Sequence, residues 1–411
     1  MLARILNIEI ESGADIMGET QHGFRKGRST VTAALELQAT IAESLDNDLY
    51  IAVASLDLSA AFNVINIELL KDRLKKVGLP DDLLLLLDSW LTGRTAYVEV
   101  SGFCSSYFNV GCGTVQGSIL GPVLFNLFIG PLIRAEKMLA YADDNYPTGI
   151  GPNRDTALAD LQRKLIIAEK WMSGSGLKVN LQKTELCIFH RYDSGSGEIT
   201  VNNVTIKSGK YINVLGIKFD SRLEWKYQVE SSITEARKAT QALRVIKSHF
   251  LGHELLTLIT SYVYSRLYYA AQIWLLPTLK QTLLKRLFSQ SGNTLKIIDR
   301  EATFVQLHKT YNRATPHIYS LYLTSINLFD LTSKQTPTQE FNNLQSVTLN
   351  NRRNEYLTFV RNNGFKVGLN RISNRVRSIT NVVKKTWINL SRDWFKKLCK
   401  DNIIKAKLLE L

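Results

Sequence analysis

The chain has 411 residues, 45% of them hydrophobic, which is enough for two to three domains with real cores. Its formal charge is +14, and residues 351–411 hold fifteen Lys or Arg against four acids, so +11 of the excess sits at one end, interleaved with Trp387, Trp394 and Phe395; that mixture suits a polyanion, RNA above all, as well as a solvated amphipathic helix pair. Four cysteines without C-x-x-C spacing, an N-terminus that reaches Glu9 and Glu11 early, and a longest apolar run broken by Gly121, Pro122, Asn126, Gly130 and Pro131 argue against a zinc scaffold, a secretory signal and a membrane span, and for a reducing intracellular setting, nucleus or cytoplasm.

In chain order, residues 29–46 have helical spacing, with Ala33, Leu37 and Ile41 on one stripe. The β-branched run 51–56 reads as a strand that ends in Asp57, and a helical pattern then runs to Leu74. Asp81-Asp82 open a helix that Gly93 ends. Residues 97–101 and 107–110 alternate as the strands of a hairpin. A glycine-framed loop, Gly113-Thr114-Val115-Gln116-Gly117, leads into an apolar helix from Val123 to Ile133. Residues 138–141 form a strand, Asp143-Asp144 the tip of a tight turn, and a second strand follows through Ile150. A helix spans 157–173, with Leu158, Leu161, Leu165 and Trp171 inward, and strands follow at 185–190, 199–201 and 211–219. After Trp225 the pattern is helical almost throughout, with a linker at 331–343 and a basic, mostly helical remainder. The pattern predicts an α+β fold, an antiparallel sheet backed by helices, over residues 1–225. A helical region at 226–300 and a basic helical region at 301–411 come after it.

Chemistry concentrates in three places. Adjacent like charges at a sheet tip repel unless a cation lies between them, so Asp143-Asp144 is a candidate site for Mg²⁺ or Mn²⁺. A solvated turn is the competing reading. Asp57, at the end of a strand and before a helix, is a third candidate carboxylate, with a helix N-cap as its alternative. On neighbouring strands the three would hold two metals that grip an incoming phosphate and an attacking hydroxyl. Gln116 and Gly117 lie where glycines permit close backbone approach to a nucleotide or a template base, and an ordinary helix entry is the alternative there. The six histidines are scattered, and no Ser-His-Asp or Cys-His constellation supports a hydrolase.

The motifs Asp57-Leu58-Ser59-Ala60-Ala61-Phe62, Gln116-Gly117-Ser118-Ile119-Leu120-Gly121-Pro122 and Tyr141-Ala142-Asp143-Asp144 stand in the order found in reverse transcriptases of non-LTR (LINE-type) retrotransposons, which the chain closely resembles. Flanking pieces agree: Gln21-His22-Gly23-Phe24-Arg25-Lys26-Gly27-Arg28-Ser29-Thr30 resembles the fingers segment. Gly176-Leu177-Lys178-Val179-Asn180 with Lys183-Thr184-Glu185 resembles the motif after the catalytic hairpin. Val214-Leu215-Gly216-Ile217 with Leu223-Glu224-Trp225 resembles the palm-to-thumb segment that grips the primer. The resemblance implies a right-hand polymerase with partial fingers, a ferredoxin-like palm and a helical thumb. It implies catalytic, metal-binding roles for Asp57, Asp143 and Asp144, with Mg²⁺ or Mn²⁺ as cofactor. It makes Phe62 the side chain that excludes a ribose 2′-hydroxyl, and Lys183 the proton donor to the leaving pyrophosphate. Gln116, Gly117, Arg25 and Lys26 become nucleotide or template contacts. The partners would be an RNA template, a DNA primer and deoxynucleotide triphosphates.

The chain also departs from that family. Asn63 stands where most relatives have Asp, and Val115 replaces a common Pro. No Arg-Pro-Ile segment precedes Gln21 and no endonuclease domain is visible, so the resemblance implies an N-terminally truncated polymerase. Two readings follow: an RNA-directed DNA polymerase, or a catalytically impaired nucleic-acid-binding remnant of such an element. An RNA polymerase of the same kind is disfavoured by Phe62.

Overall fold

The structure is a computed structural model that describes residues 16–311 and Pro316, apart from Ala60, Gln116, Asp193, Ser194 and residues 276–278. The expected linker at 331–343 and nearly all of the basic region, with Trp387, Trp394 and Phe395, lie outside the described residues. The chain divides into two compact units. The first comprises residues 1–33, 49–188 and 193–215; the second comprises 34–48, 189–192 and 216 onward.

The first unit is built on the strand Tyr50–Ser55. Ile51, Ala52, Val53 and Ala54 are all fully buried, so the strand is apolar on both faces and does not alternate. It lies at the centre of a three-stranded sheet, between Glu185–Phe189 and Thr148–Gly151. Its pairing with Thr148–Gly151 is antiparallel, from Tyr50 opposite Gly151 to Val53 opposite Thr148. The helix Arg154–Gly174 covers this sheet. Asn153 caps it, accepting from the Thr156 amide at 2.9 Å. Leu158, Leu161 and Leu165 face inward as expected, while Trp171 stays half-buried. The helix comes so near the strand that a Cβ at Gly149 would lie 2.3 Å from the Ala157 carbonyl oxygen.

A second helix, Leu120–Glu136, is apolar all round and buried along most of its length, with Leu124, Phe125, Phe128 and Ile129 fully enclosed. Arg73, on the helix Ile67–Lys76, ties it down. The guanidinium carbon lies 4.0 Å from the Phe128 ring centroid and 4.5 Å from that of Trp171, and it donates to the Phe128 carbonyl and to Ser175 Oγ. Burial pulls this arginine down to about 10.

Several expected elements are redrawn. The strand expected through Ile150 is two, Asp144–Tyr146 and Thr148–Gly151, because Pro147 has no N–H to carry the ladder. The strand expected at 211–219 breaks where Leu215 and Gly216 take φ of 51° and 81°. The hairpin at 97–110 is paired in two short ladders, Arg94–Ala96 with Phe108–Val110 and Glu99–Val100 with Phe103–Cys104. A strand not foreseen, Val204–Lys207, pairs with Glu198–Val201 through Asn202-Asn203, both at positive φ. Asn-Asn between two valines is a readable hairpin signal.

Apart from the strand Ile217–Asp220, the second unit is mostly helical among its described residues. The helices Lys226–Ile246 and Gln281–Leu295 pack through buried Ala236, Ala239, Leu243, Leu284 and Leu287. A buried polar seam joins them, with Thr240 Oγ1 3.0 Å from Thr294 Oγ1. The helix Gly252–Leu258 passes into a π turn, Ile259–Tyr264, and the helical run is interrupted where Ala270 adopts φ of 48°. The motif Leu223-Glu224-Trp225 is a turn in which Asp220, 5% exposed, accepts from the Glu224 and Trp225 amides at 2.9 and 2.6 Å. Among the described residues no helix is long and apolar enough to cross a membrane.

Replacing Gly149 with Ala forces the helix Arg154–Gly174 off the sheet, because the new methyl meets backbone atoms that have no rotamer to escape into. The expected cost is about 1–3 kcal/mol, read as a lower denaturant midpoint at unchanged m-value. A midpoint equal to that of the unaltered protein would refute the close approach.

Candidate active site

The register of one ladder decides what faces what. The pairing of Tyr50–Ser55 with Thr148–Gly151 continues past Pro147, where the Ala54 amide donates to the Pro147 carbonyl at 3.1 Å. It then reaches Leu56, whose amide donates to the Asn145 carbonyl at 2.9 Å. One residue further along the same register, Asp57 lies opposite Asp144. Directly opposed residues in an antiparallel pair have Cα atoms about 4.5–5.5 Å apart and side chains on the same face. Leu56 and Asn145, on the other face, are buried at 1% and 0% exposure. The carboxylates of Asp57 and Asp144 thus share the open face.

Asp143 enters through the turn. Leu139–Tyr141 pairs with Asp144–Tyr146, Tyr141 opposite Asp144, leaving Ala142 and Asp143 as the two-residue tip. Ala142 adopts φ of 56°, a region most L-residues avoid. Asn145 Nδ2 donates to the Asp143 carbonyl at 2.7 Å. Tyr146, behind the turn, is 2% exposed and accepts from the Leu215 amide at 3.1 Å; burial pushes its phenol well above the usual range.

The segment read as a fingers motif lies against this hairpin. The Ala140 amide donates to the Thr20 carbonyl at 3.0 Å and the His22 amide to the Ala140 carbonyl at 2.8 Å, so residues 20–22 run parallel to the hairpin strand. Gln21, fully buried, accepts from the amides of Ala142 and Gly23 at 2.9 and 2.8 Å. Nothing in the sequence pattern marked Gln21 as a contact to the acidic turn.

Phe62 lies on the short 3₁₀ turn Ala61–Asn63. Its ring centroid is 4.6 Å from that of Phe125 and 6.2 Å, edge-on, from that of Phe24. The glycine-rich loop docks on the same turn. The Thr114 amide donates to the Phe62 carbonyl at 2.8 Å, and the Gly113 amide to the Ile65 carbonyl at 2.8 Å. Gly113 takes φ of 76°, and a Cβ there would lie 2.5 Å from the Asn63 carbonyl oxygen, so only glycine fits. Gln116 falls outside the described residues, and Gly117 is exposed.

Asp57 is anchored from the far side. The strand Lys178–Val179 pairs with Leu58–Ser59, and the Asn180 amide donates to the Asp57 carbonyl at 2.9 Å. The next turn carries Lys183, whose Nζ lies 3.9 Å from Asp57 Oδ2, with the two side chains 72% and 47% exposed. Arg25 is engaged with the backbone, donating to the Gly18 carbonyl at 2.7 Å, and Lys26 is exposed.

Electrostatics single out Asp144. Burial, then the charges of Asp143 and Asp57, push its carboxyl up to about 6. That mutual repulsion among oxygen-only donors is the chemistry a hard divalent cation relieves. Among the described residues no three His, Cys, Asp or Glu side chains form a metal cluster. Oxygen-only donors of this kind would suit a hard cation such as Mg²⁺, with Asp57, Asp143 and Asp144 as the residues that would hold it.

Residues 1–255 match the sequence model of the family described as reverse transcriptase (RNA-dependent DNA polymerase), so the chain belongs to that family and has its right-hand polymerase fold. It is similar to insect mobile-element proteins. It is 26% identical over 219 residues to the RNA-directed DNA polymerase from mobile element jockey of Drosophila melanogaster, covering 51% of this chain and 24% of that one. It is 27% identical over 256 residues to the probable RNA-directed DNA polymerase from transposon BS of the same species, covering 59% and 28%. The chain thus spans about a quarter of the length of these curated relatives. Among solved structures, a telomerase from Candida tropicalis in complex with a fragment of telomeric RNA aligns at TM-score 0.43 and 14% identity, covering 84% of this chain and 56% of that one.

Because the Asp144 carboxyl titrates near 6 against an ordinary 3.8, its protonated form favours the folded state. That contribution is complete below about pH 3.8 and is lost as pH rises through about 6. The metal-free protein is therefore expected to lose thermal stability as pH rises from about 3.8 to about 6, and Asp144→Asn to flatten that slope. A slope unchanged by the substitution would show that the charge at 144 is not strained.

Proposed function

We propose that the chain acts as an RNA-directed DNA polymerase of the non-LTR retrotransposon type, adding deoxynucleotides to the 3′-hydroxyl of a primer. The observation that carries this reading is the ladder register that sets Asp57 opposite Asp144, one residue from Asp143, on a face open to solvent. In this reading residues 1–225 make the partial fingers and a ferredoxin-like palm, 226–300 the thumb, and 301–411 a basic region for the RNA template. The cellular setting would be nucleus or cytoplasm.

Mg²⁺ bound by Asp57, Asp143 and Asp144 would lower the pKa of the primer hydroxyl and neutralise charge on the triphosphate. The protein's share is positional. In this reading the hairpin and the strand Tyr50–Ser55 would present the three carboxylates to one cation, with little reorganisation when charge develops. Phe62, wedged between Phe24 and Phe125, has little freedom to swing aside, and a fixed aromatic edge at the sugar would clash with a 2′-hydroxyl. Lys183 would protonate the leaving pyrophosphate, an assistance worth roughly 100-fold. Gln116, Gly117 and Lys26 would contact nucleotide or template. Arg25 would act by holding the 18–21 turn in place.

Primer extension on an RNA template with Mg²⁺ tests the whole reading. The unaltered chain should incorporate deoxynucleotides, and Asp143→Asn with Asp144→Asn should lose about 10³-fold or more, the scale of deleting a transition-state electrostatic contact. Incorporation that survives the double substitution sinks the site assignment, and salt-dependent RNA binding with no incorporation by the unaltered chain selects the impaired-remnant reading.

Phe62→Ala should raise ribonucleotide use relative to deoxynucleotide use by roughly 10- to 100-fold, the range for one steric contact. Ratios of kcat/KM for matched ribo- and deoxynucleotides measure it, and an unchanged ratio would remove Phe62 from the selection.

A further inference from the structure

The acidic turn depends on a residue some 120 positions away that carries no charge. Ala142 is a non-glycine residue at φ of 56°, so its conformation has to be held from outside. The Gln21 side chain does the holding. Its Oε1 accepts from the Ala142 amide at 2.9 Å and from the Gly23 amide at 2.8 Å, and its Nε2 reaches the Ala142 carbonyl at 3.4 Å. Both edges of one backbone residue are thereby bonded to one side-chain amide, and Gln21 is 0% exposed, so water does not compete.

The clamp is itself seated. Residues 20–22 lie along the hairpin strand through the Thr20 and His22 backbone bonds to Ala140, and Thr20 Oγ1 donates to the Met138 carbonyl at 2.7 Å. Asn126 Nδ2, from the buried helix Leu120–Glu136, donates to the Gly23 carbonyl at 2.8 Å. His22 Nδ1 lies 2.8 Å from Thr32 Oγ1. Behind Ala142, Gly23 comes so near that a Cβ would sit 2.2 Å from the Ala142 nitrogen. The turn is thus held by a side-chain amide and a glycine backbone.

We propose that Gln21 is a positioning residue for the reaction: its amide fixes the Ala142 peptide and so aims Asp143 and Asp144 at the space they share with Asp57. It touches neither substrate nor cation. A neutral clamp suits the task, since a negative charge buried there would add to the repulsion among the carboxylates and a positive one would compete with the cation. The inference rests on the polymerase reading of the carboxylates but makes its own demands. Loosening the turn should impair the chemical step and cation binding together, while leaving nucleotide recognition by Phe62 and the glycine-rich loop nearly intact.

The test uses the full chain with Gln21→Met, equal in length but unable to hydrogen-bond, and Gln21→Asn, which keeps the amide one methylene short. Three readouts separate positioning from folding. Hydrogen exchange should show the Ala142 amide losing at least tenfold protection in Gln21→Met while the Leu56 amide, bonded to Asn145, stays protected. Mn²⁺ binding followed by electron paramagnetic resonance should weaken at least tenfold. Primer extension should show kcat down tenfold or more with KM for the nucleotide within about threefold, and Gln21→Asn should fall between. If Gln21→Met does not fold, Gln21→Asn alone decides by the same three measures. Unchanged Ala142 exchange, or unchanged Mn²⁺ affinity and kcat in a folded variant, overturns the proposal. An unaltered chain that incorporates no nucleotide refutes the polymerase reading, and exchange and Mn²⁺ binding then decide the role of Gln21 by themselves.

Discussion

The arrangement rests on one antiparallel register. A buried strand, apolar on both faces, carries the backbone out of the core and ends at Ser55, two residues before Asp57. Because side chains alternate, a slip of a single position would turn Asp57 into the core and Leu56 to the open face. The burial of Leu56 opposite Asn145, at 1% and 0% exposure, opposes that slip. Hydrophobic free energy spent along the strand therefore fixes a charge at its tip, opposite another charge that would otherwise repel it.

That juxtaposition is unfavourable in itself, and the raised carboxyl of Asp144 records the cost. The surroundings offset it without neutralising it. Lys183 stands near Asp57 but remains mostly exposed, and screened by solvent such a pair contributes little. The rest of the support is uncharged: backbone amides, the Asn145 and Gln21 side-chain amides, and glycines that let segments touch. A site held rigid by neutral groups keeps its unmet demand for positive charge. That demand makes a cation-dependent phosphoryl transfer the reading that fits the geometry.

The aromatic and glycine-rich pieces form one assembly with the same turn. Phe62 is fixed from both sides by Phe24 and Phe125, and its carbonyl holds the loop that leads to Gln116. Segments remote in sequence, around residues 24, 62, 113 and 125, thus meet at one edge of the first unit. The Phe62 ring and the glycine-rich loop share a single anchor.

Much of this was legible in the chain. The apolar run before Asp57, the acidic pair at a turn and the helix with Leu158, Leu161 and Leu165 inward follow from local periodicity and residue chemistry, which act over a few residues, while the order of the motifs was legible only through the family resemblance. Local chemistry also explains some misses that better reading would have caught, such as the break at Pro147 and the Asn202-Asn203 hairpin. What only the tertiary structure decided is which distant pieces touch. That Asp57 opposes Asp144, that Gln21 grips Ala142 and that Arg25 serves the backbone are consequences of long-range pairing, where many weak contacts jointly select one register. No single residue carries that choice, so no spacing in the sequence announces it.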